Sequence, residues 1–270
     1  MSLPPILYHC FRTPLPYRQT LALQERLHEL QLRLRRENAH QDVLLLLEHR
    51  PVYTLGRRQD EHDPATIAEG AALQRTGADV VPTKRGGQIT YHGPGQIVGY
   101  PLLDLGRTHP PIGIRDYICK MQTTLKSHLK EAHGIESSLN DNTGVFLDEM
   151  TKIASIGVQV RHRLTTHGFS INVTPEPMLW FKNVVACGLV GVRQGNIAEN
   201  TKTKARNSVT VAEEMEGLAQ RFGKVFGRDM VQLELAEREI GPEIAAVEEE
   251  AEALQQVNPW PRAPLLGLLK

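Results

Sequence analysis

The chain has 270 residues, enough to bury a sizeable core as one large domain or two small ones, and one is expected. Its 31 Lys and Arg balance 31 Asp and Glu, so no overall field draws it to nucleic acid or to an anionic membrane, and partners must be recognised locally. The cysteines Cys10, Cys119 and Cys187 have no framework spacing and point to reduced thiols rather than a disulfide scaffold. The longest apolar run, Val43 to Leu47, falls far short of the ~20 residues of a membrane helix.

The first twenty residues carry Arg12 and Arg18 and no acid, as transit peptides do, but Pro4, Pro5, Pro14 and Pro16 oppose a presequence helix. Leucines among Gln, Arg and Glu predict a helix over Pro16 to Glu37, followed by a buried strand over Val43 to Glu48. A strand over Val52 to Leu55, a short helix over Pro64 to Thr76 and a strand over Ala78 to Val81 come next, punctuated by Gly56 and Gly77. Gln96 to Leu105 is expected as a strand broken at Pro101. Ile114, Ile118, Met121, Leu125 and Leu129 share one face of a helix that Gly134 ends, with Cys119 off that face. Strands are expected at Gly144 to Asp148, Lys152 to Val160 and Gly168 to Val173. Gly195 to Asn207 reads as a mobile polar loop, and the capping box Thr210-Val-Ala-Glu213 opens a further helix. From Gly241, the acidic run Glu248 to Glu250 and three prolines suggest an exposed helix in a peripheral tail, giving a catalytic unit of 1–240 and a tail of 241–270. The fold class is therefore α/β, in the α+β sense: a mixed sheet flanked by helices.

The segment Arg85-Gly-Gly-Gln-Ile-Thr-Tyr-His-Gly-Pro-Gly-Gln96 carries the chemistry-bearing glycines. It is no dinucleotide fingerprint, because the third glycine falls one position late and strand rather than helix follows, and no Gly-Lys-Ser/Thr completes a P-loop. A hairpin turn is the plain alternative. Polar and amphipathic residues interleaved with bare backbone, however, suit a loop that presents N–H groups to a carbonyl or phosphate.

In Lys152-Ile-Ala-Ser-Ile-Gly-Val-Gln-Val160, alternation puts Lys152 in phase with apolar side chains. A buried ammonium would favour its neutral form and become a base, whereas a strand-end lysine would snorkel to solvent. In Gly168-Phe-Ser-Ile-Asn-Val173 one face is apolar and the other small and polar, either a substrate wall or an ordinary solvent face. Cys187, before Gly188, is a small core residue when taken singly; beside a desolvated lysine it could lose its proton and become a nucleophile. His49 and His92 are candidate pocket groups, with His92 the first candidate for a Cys–His pair, while His162 and His167 lack metal-ligand spacing.

Arg85 to Gln96, Lys152-Ile-Ala-Ser-Ile-Gly157 and Ala186-Cys-Gly188, in that order, together with His49 to Gly56, resemble the lipoyl(octanoyl) transferases of lipoic acid synthesis over roughly Leu7 to Phe226. Ala186 departs from the proline common there. The resemblance implies the fold of lipoate and biotin ligase catalytic domains, and transfer of an octanoyl group from octanoyl-acyl carrier protein to a lysine of lipoyl domains. Those acceptors would belong to 2-oxoacid dehydrogenases and the glycine cleavage H protein. It further implies Cys187 as nucleophile and Lys152 as its proton partner. Arg85, Gly86, Gly87, Gln88, Ile89, Thr90, Tyr91 and His92, with Ser155, Ile156 and Gly157 and with Gly168, Phe169 and Ser170, would line the acyl site, Tyr91 and His92 framing its reacting end. No cofactor or metal is implied, since thioester to amide is downhill. Arg57, Arg58, Lys84, Arg161 and Arg163 are candidates for a basic carrier-docking patch or plain surface charges. The mitochondrial matrix is expected, with bacterial cytoplasm the alternative. An ATP-dependent lipoate or biotin ligase, a non-catalytic acyl-binding protein and a thioesterase, in which water attacks the acyl enzyme, are the competing readings.

Overall fold

The five aliphatic residues Val43–Leu47 are all buried and face two hydrophobic cores alternately, Leu44 and Leu46 into one, Val43, Leu45 and Leu47 into the other. Strand alternation thus requires helices on both faces of the sheet. In the computed structural model, which describes residues 3–184, 188, 191–236, 239–257 and 259–265, chain order is β1 (Ile6–Cys10), α1 (Tyr17–Arg36), β2 (Val43–Leu47), β3 (Val52–Leu55), α2 (Pro64–Gln74), β4 (Asp79–Pro82), β5 (Thr90–His92), β6 (Gln96–Leu102), α3 (Ile114–His133), β7 (Val145–Asp148), β8 (Thr151–Arg161), β9 (Leu164–Asn172), α4 (Glu176–Phe181), β10 (Arg193–Gln194), α5 (Ile197–Asn200), α6 (Val211–Phe226), β11 (Met230–Gln232) and α7 (Gly241–Val257).

Among the described residues the main sheet runs β10-β8-β9-β6-β2-β1-β11, with β7 also on β8, and a three-stranded sheet runs β4-β3-β5. Antiparallel β2-β6-β9-β8 pairs and parallel β2-β1-β11 pairs make the main sheet mixed, as expected. Tyr117, Met121, Leu125 and Leu129 of α3 pack with Met215, Leu218 and Phe222 of α6 on one face, and Leu23 and Leu27 of α1 pack on the other. Local signals set the helix ends: Asp63 caps α2 ahead of Pro64, Thr210 accepts from the Glu213 N–H at the start of α6, and Gly134 closes α3 at φ 64°. Among the described residues, no helix is long and apolar enough to cross a membrane.

Four expectations change. Ile114 does not share the buried face of α3 but is exposed at the start of the helix, and Tyr117 takes the inward position. β6 continues through Pro101, which pairs with Leu44; its β9 ladder ends at Gly99, and beyond it the Thr165 hydroxyl bonds the Pro101 carbonyl at 2.6 Å. The segment 195–207 is not an unstructured loop, because its apolar pair Ile197 and Ala198 fills the α3/α6 core and Asn196 caps α5 through the Glu199 N–H. The helix beyond Gly241 forms as expected but is docked rather than exposed. Ile244, Val247 and Ala251 enter the α1 core, and Arg26 and Arg33 bridge to Glu243 and Glu239 at 2.6 Å each.

Because Ile244 is fully buried, Ile244→Ala should lower unfolding stability by about 2–5 kcal/mol in urea titration. A freely exposed helix would show almost no change.

Candidate active site

A pocket lies between the two sheets, enclosing about 440 Å³ of space that includes its opening to solvent. Its floor is β9, where the small face reads Gly168 and Ser170, joined by Phe169, and its sides are Ser155, Ile156 and Gly157 of β8 and Val98 and Tyr100 of β6. Arg85, Gly86, Gly87, Thr90 and His92 close it from the glycine-rich segment, and Tyr17, the first residue of α1, completes the wall.

The segment 85–87 is held by backbone and by one buried side chain. Arg85, 7 % exposed, directs Nη2 to the carbonyl and hydroxyl of Thr54, each at 2.7 Å, and Nη1 to the Gly86 carbonyl at 3.0 Å. The Gly86 N–H donates to Val158 on β8, and the Arg57 N–H donates to the Arg85 carbonyl. Gly56 faces the Gly87 carbonyl so closely that a Cβ there would overlap it, and Gly87 itself sits at φ 92°. The crossing of these two chain segments therefore needs glycine on both sides.

His92 and His167 line the pocket, whereas His49, expected there, stands behind Tyr100 and does not line it; all three are neutral rings. His49 donates through Nδ1 to the Leu15 carbonyl (3.0 Å), which leaves Nε2 to accept the Tyr100 hydroxyl at 2.6 Å. His92 donates through Nδ1 to Gln96 Oε1 (2.7 Å), Gln96 Nε2 donates to Asn172 Oδ1 (2.8 Å), and Asn172 Nδ2 donates to the Gly195 carbonyl (2.9 Å). Burial pushes His49 down to about 4, and burial, with the neighbouring His49 imidazole competing for the same proton and the Arg85 charge opposing it, pushes His92 to about 3. Burial, Arg85 and Arg161 likewise hold His167 at about 3.

Lys152 is 2 % exposed, not snorkelled to solvent. Its Nζ donates to the Thr143 carbonyl at 3.0 Å and lies 5.4 Å from the centre of the Phe146 ring. Gly144 gives the side chain its space, since a Cβ there would meet Lys152 Cε at 2.5 Å. Cys187 lies outside the described residues. Its neighbour Gly188 is met by the Gln88 carboxamide, and a few residues on, Arg193 and Gln194 pair with Thr151 and Lys152.

Residues 16–231 match the family model for the lipoyl protein ligase A/B catalytic domain. An octanoyltransferase of Solibacter usitatus is 39% identical over 213 residues, 78% of this chain and 87% of that protein. A mitochondrial octanoyl-[acyl-carrier-protein]:protein N-octanoyltransferase of Danio rerio is 34% identical over 206 residues, 76% and 88% of the two chains. The chain belongs to the octanoyltransferase family. It also shares its fold with a lipoate-protein ligase A bound with ATP (TM-score 0.61, 14% identity, 93% of this chain and 95% of that one). The same holds for a bipartite lipoate protein ligase of Thermoplasma acidophilum (TM-score 0.61, 13% identity, all of both chains).

Within this octanoyltransferase-family chain, the expected lining residues divide. Arg85, Gly86, Gly87, Thr90, His92, Ser155, Ile156, Gly157, Gly168, Phe169 and Ser170 meet at the pocket. Tyr91 does not frame it: strand alternation turns its ring into the core of the small sheet, stacked on Trp180 at 5.3 Å. Ile89 enters that same core, and Gln88 reaches Gly188 instead. Sequence reading missed Tyr17, Val98, Tyr100 and His167 as pocket residues. Val98 and Tyr100 could have been found from parity, being two apart on β6; for Tyr17 no local signal exists. The small face of β9 is not a solvent face, as Ser170 and Asn172 are 3 % and 2 % exposed.

The three depressed imidazoles give a pH dependence of definite sign. Above about 6.5 the rings are neutral in both folded and unfolded chains; below it the unfolded chain binds protons that the native one refuses. Each ring then removes up to about 1.4 kcal/mol of stability per pH unit until its folded value is reached. The urea midpoint should therefore fall steeply from pH 6.5 to about 4, and a level profile across that window would contradict the neutral-ring assignment.

Proposed function

We propose that the chain transfers an octanoyl group from octanoyl-acyl carrier protein to a lysine of a lipoyl domain through a thioester on Cys187, with residues 1–240 as the catalytic unit. The observation that carries the reading is Lys152, a buried lysine held at the start of the same strand, β8, that supplies Ser155, Ile156 and Gly157 to the pocket. At ~3.3 Å per strand residue, three residues put its backbone about 10 Å from Ser155. An acyl chain in the pocket would have its carbonyl toward that end.

In the first half-reaction Lys152 accepts the Cys187 proton, and the sulfur forms a bond to the thioester carbonyl. The bond between the acyl carbon and the carrier's pantetheine sulfur breaks, and that thiol leaves with the proton returned by Lys152. In the second, the acceptor lysine loses a proton to Lys152 and attacks the acyl–Cys187 carbonyl; the amide forms and Cys187 is released. Backbone N–H groups near Gly188 or in the glycine-rich segment would hold the oxyanion.

Val98, with the small residues Gly157, Gly168 and Ser170, would give an alkyl chain its bed, while Ile156 and Phe169, though at the pocket, pack with the α3/α6 core. Burial of most of eight carbons at ~0.8 kcal/mol per methylene offers about 5 kcal/mol before ordering costs. His92, with its basicity reduced to about 3, shapes the wall and is too weak a base to take a proton at neutral pH. For carrier docking, Arg57, Arg58 and Lys84 gather beside the glycine-rich segment, though Asp60 and Glu61 share that surface. Arg161 is bound to Glu25 at 2.6 Å and is a weaker candidate. The acceptors would be lipoyl domains of 2-oxoacid dehydrogenases and the glycine cleavage H protein. The compartment would be the mitochondrial matrix, for which the Danio rerio relative is the support.

Incubation with octanoyl-acyl carrier protein without ATP should give a single octanoyl adduct on Cys187, read by peptide mass and discharged by an apo lipoyl domain. Absence of the adduct, or dependence on ATP, would overturn the mechanism. Lys152→Ala should slow acylation by about 10²–10⁴-fold, and an unchanged rate would remove the role given to Lys152.

A further inference from the structure

On the face of the main sheet opposite α1 and α7, a second group of titratable side chains takes no part in the proposed transfer. His128 and His133 of α3 and Glu214 in the first turn of α6 are all buried, and their ligand-type atoms lie within 4.8 Å of one another. We propose that these three residues form a binding site for one divalent transition-metal ion, of which Zn²⁺ is the best match, clamping α3 to α6.

Three observations support it. The first is spacing. Glu214 Oε2 stands 2.9 Å from His133 Nε2 and 3.2 Å from His128 Nε2. Ligands at 2.0–2.2 Å around a tetrahedral ion are about 3.4 Å apart, so two of the three edges already stand within about half an ångström of such a site and the third is within 4.8 Å.

The second is the state of His128. It has no solvent exposure, and among the described residues neither of its ring nitrogens makes a hydrogen bond of acceptable geometry. Its Nε2 is close to the carboxylate yet off the line of a good hydrogen bond. A buried imidazole so poorly satisfied is costly; an ion placed between Nε2 and the carboxylate would replace their off-line contact by two ligand bonds.

The third is the support around the ligands. His133 Nε2 donates to Glu214 Oε2 at 2.9 Å, and its Nδ1 meets Thr201 Oγ1 at 3.2 Å; with an ion bound, Nδ1 would donate to that hydroxyl and free the Nε2 lone pair, the arrangement that fixes metal-binding imidazoles elsewhere. Lys204 holds the other Glu214 oxygen at 2.6 Å and leaves Oε2 for the ion. Both supports come from the 195–207 segment, which is further tied to the end of α3 by the Lys202 N–H to the His133 carbonyl and the Thr203 hydroxyl to Ala132. Two imidazoles and one carboxylate are borderline nitrogen and oxygen donors suited to Zn²⁺ and its first-row neighbours rather than to Ca²⁺ or Mg²⁺. Water would complete the coordination. The role is structural, because the site is built on helices that do not line the acyl pocket.

The test uses the full chain, stripped with chelator and then given Zn²⁺ or Co²⁺ alone. One equivalent of Zn²⁺ should be retained after dialysis, by elemental analysis. At a hundredfold excess over its dissociation constant it should raise the melting temperature by about 5–10 °C. The Co²⁺ form should show visible ligand-field bands without a thiolate charge-transfer band, which separates this site from binding at Cys10, Cys119 or Cys187. Glu214→Gln and His128→Phe, checked for native circular dichroism, should each abolish retention and the thermal shift. Less than stoichiometric retention, a thiolate band, or equal binding by a folded variant would overturn the proposal, leaving the cluster as a His–Glu–Lys ion-pair group.

Discussion

The buried Arg85 guanidinium is the interaction on which the pocket depends. Its fork meets oxygens of Thr54, in the small sheet, and of Gly86, whose N–H reaches Val158 in the main sheet. One side chain thus ties the two sheets together across the space a ligand would occupy. Charge-assisted donors to neutral oxygens are among the stronger protein hydrogen bonds. They keep Gly86 and Gly87 at the pocket edge, where no side chain stands between backbone and ligand. The same charge disfavours protonation of His92 and His167, so the loop anchor and the neutrality of the wall have a common origin.

Much of this was readable from residue order. The five-residue run at β2, the capping box of α6 and the Gly77 and Gly134 stops after α2 and α3 are local, and local signals survive folding. The glycine-rich segment, the strand of Lys152 and the small face of β9 were recognisable because glycine and small polar residues in strands require a close neighbour. What escaped was decided at a distance. Tyr91 turns away from the pocket because Trp180, 89 positions later, offers its ring a stacking partner. Pro101 is accommodated because Thr165 supplies a hydroxyl to its carbonyl. α7 is docked because Ile244, Val247 and Ala251 find the α1 leucines, and nothing in its acidic sequence marks that inner face strongly. Ile197 and Ala198 were too short a signal against their polar surroundings.

The sheet keeps two kinds of chemistry apart. At the pocket, on the side of the small sheet, His49 and His92 are engaged with neutral partners, a carbonyl, a phenol and a carboxamide. On the side of α3 and α6, His133 faces a carboxylate, and Glu214 is held well below the usual carboxylate range by its His and Lys partners despite its burial. An apolar wall for an alkyl chain and a charged junction between helices can coexist because β2, β6 and β9 stand between them.

The carboxamide sequence from His92 through Gln96 and Asn172 to Gly195 has a consequence beyond filling space. Gly195 directly follows β10, the strand that carries the chain back to Lys152 after Cys187. The wall that would set the depth of an acyl chain and the strand that would set the height of the nucleophile are therefore surveyed from one benchmark. A change that moves Asn172 shifts both together, preserving their alignment with each other while losing it with the substrate.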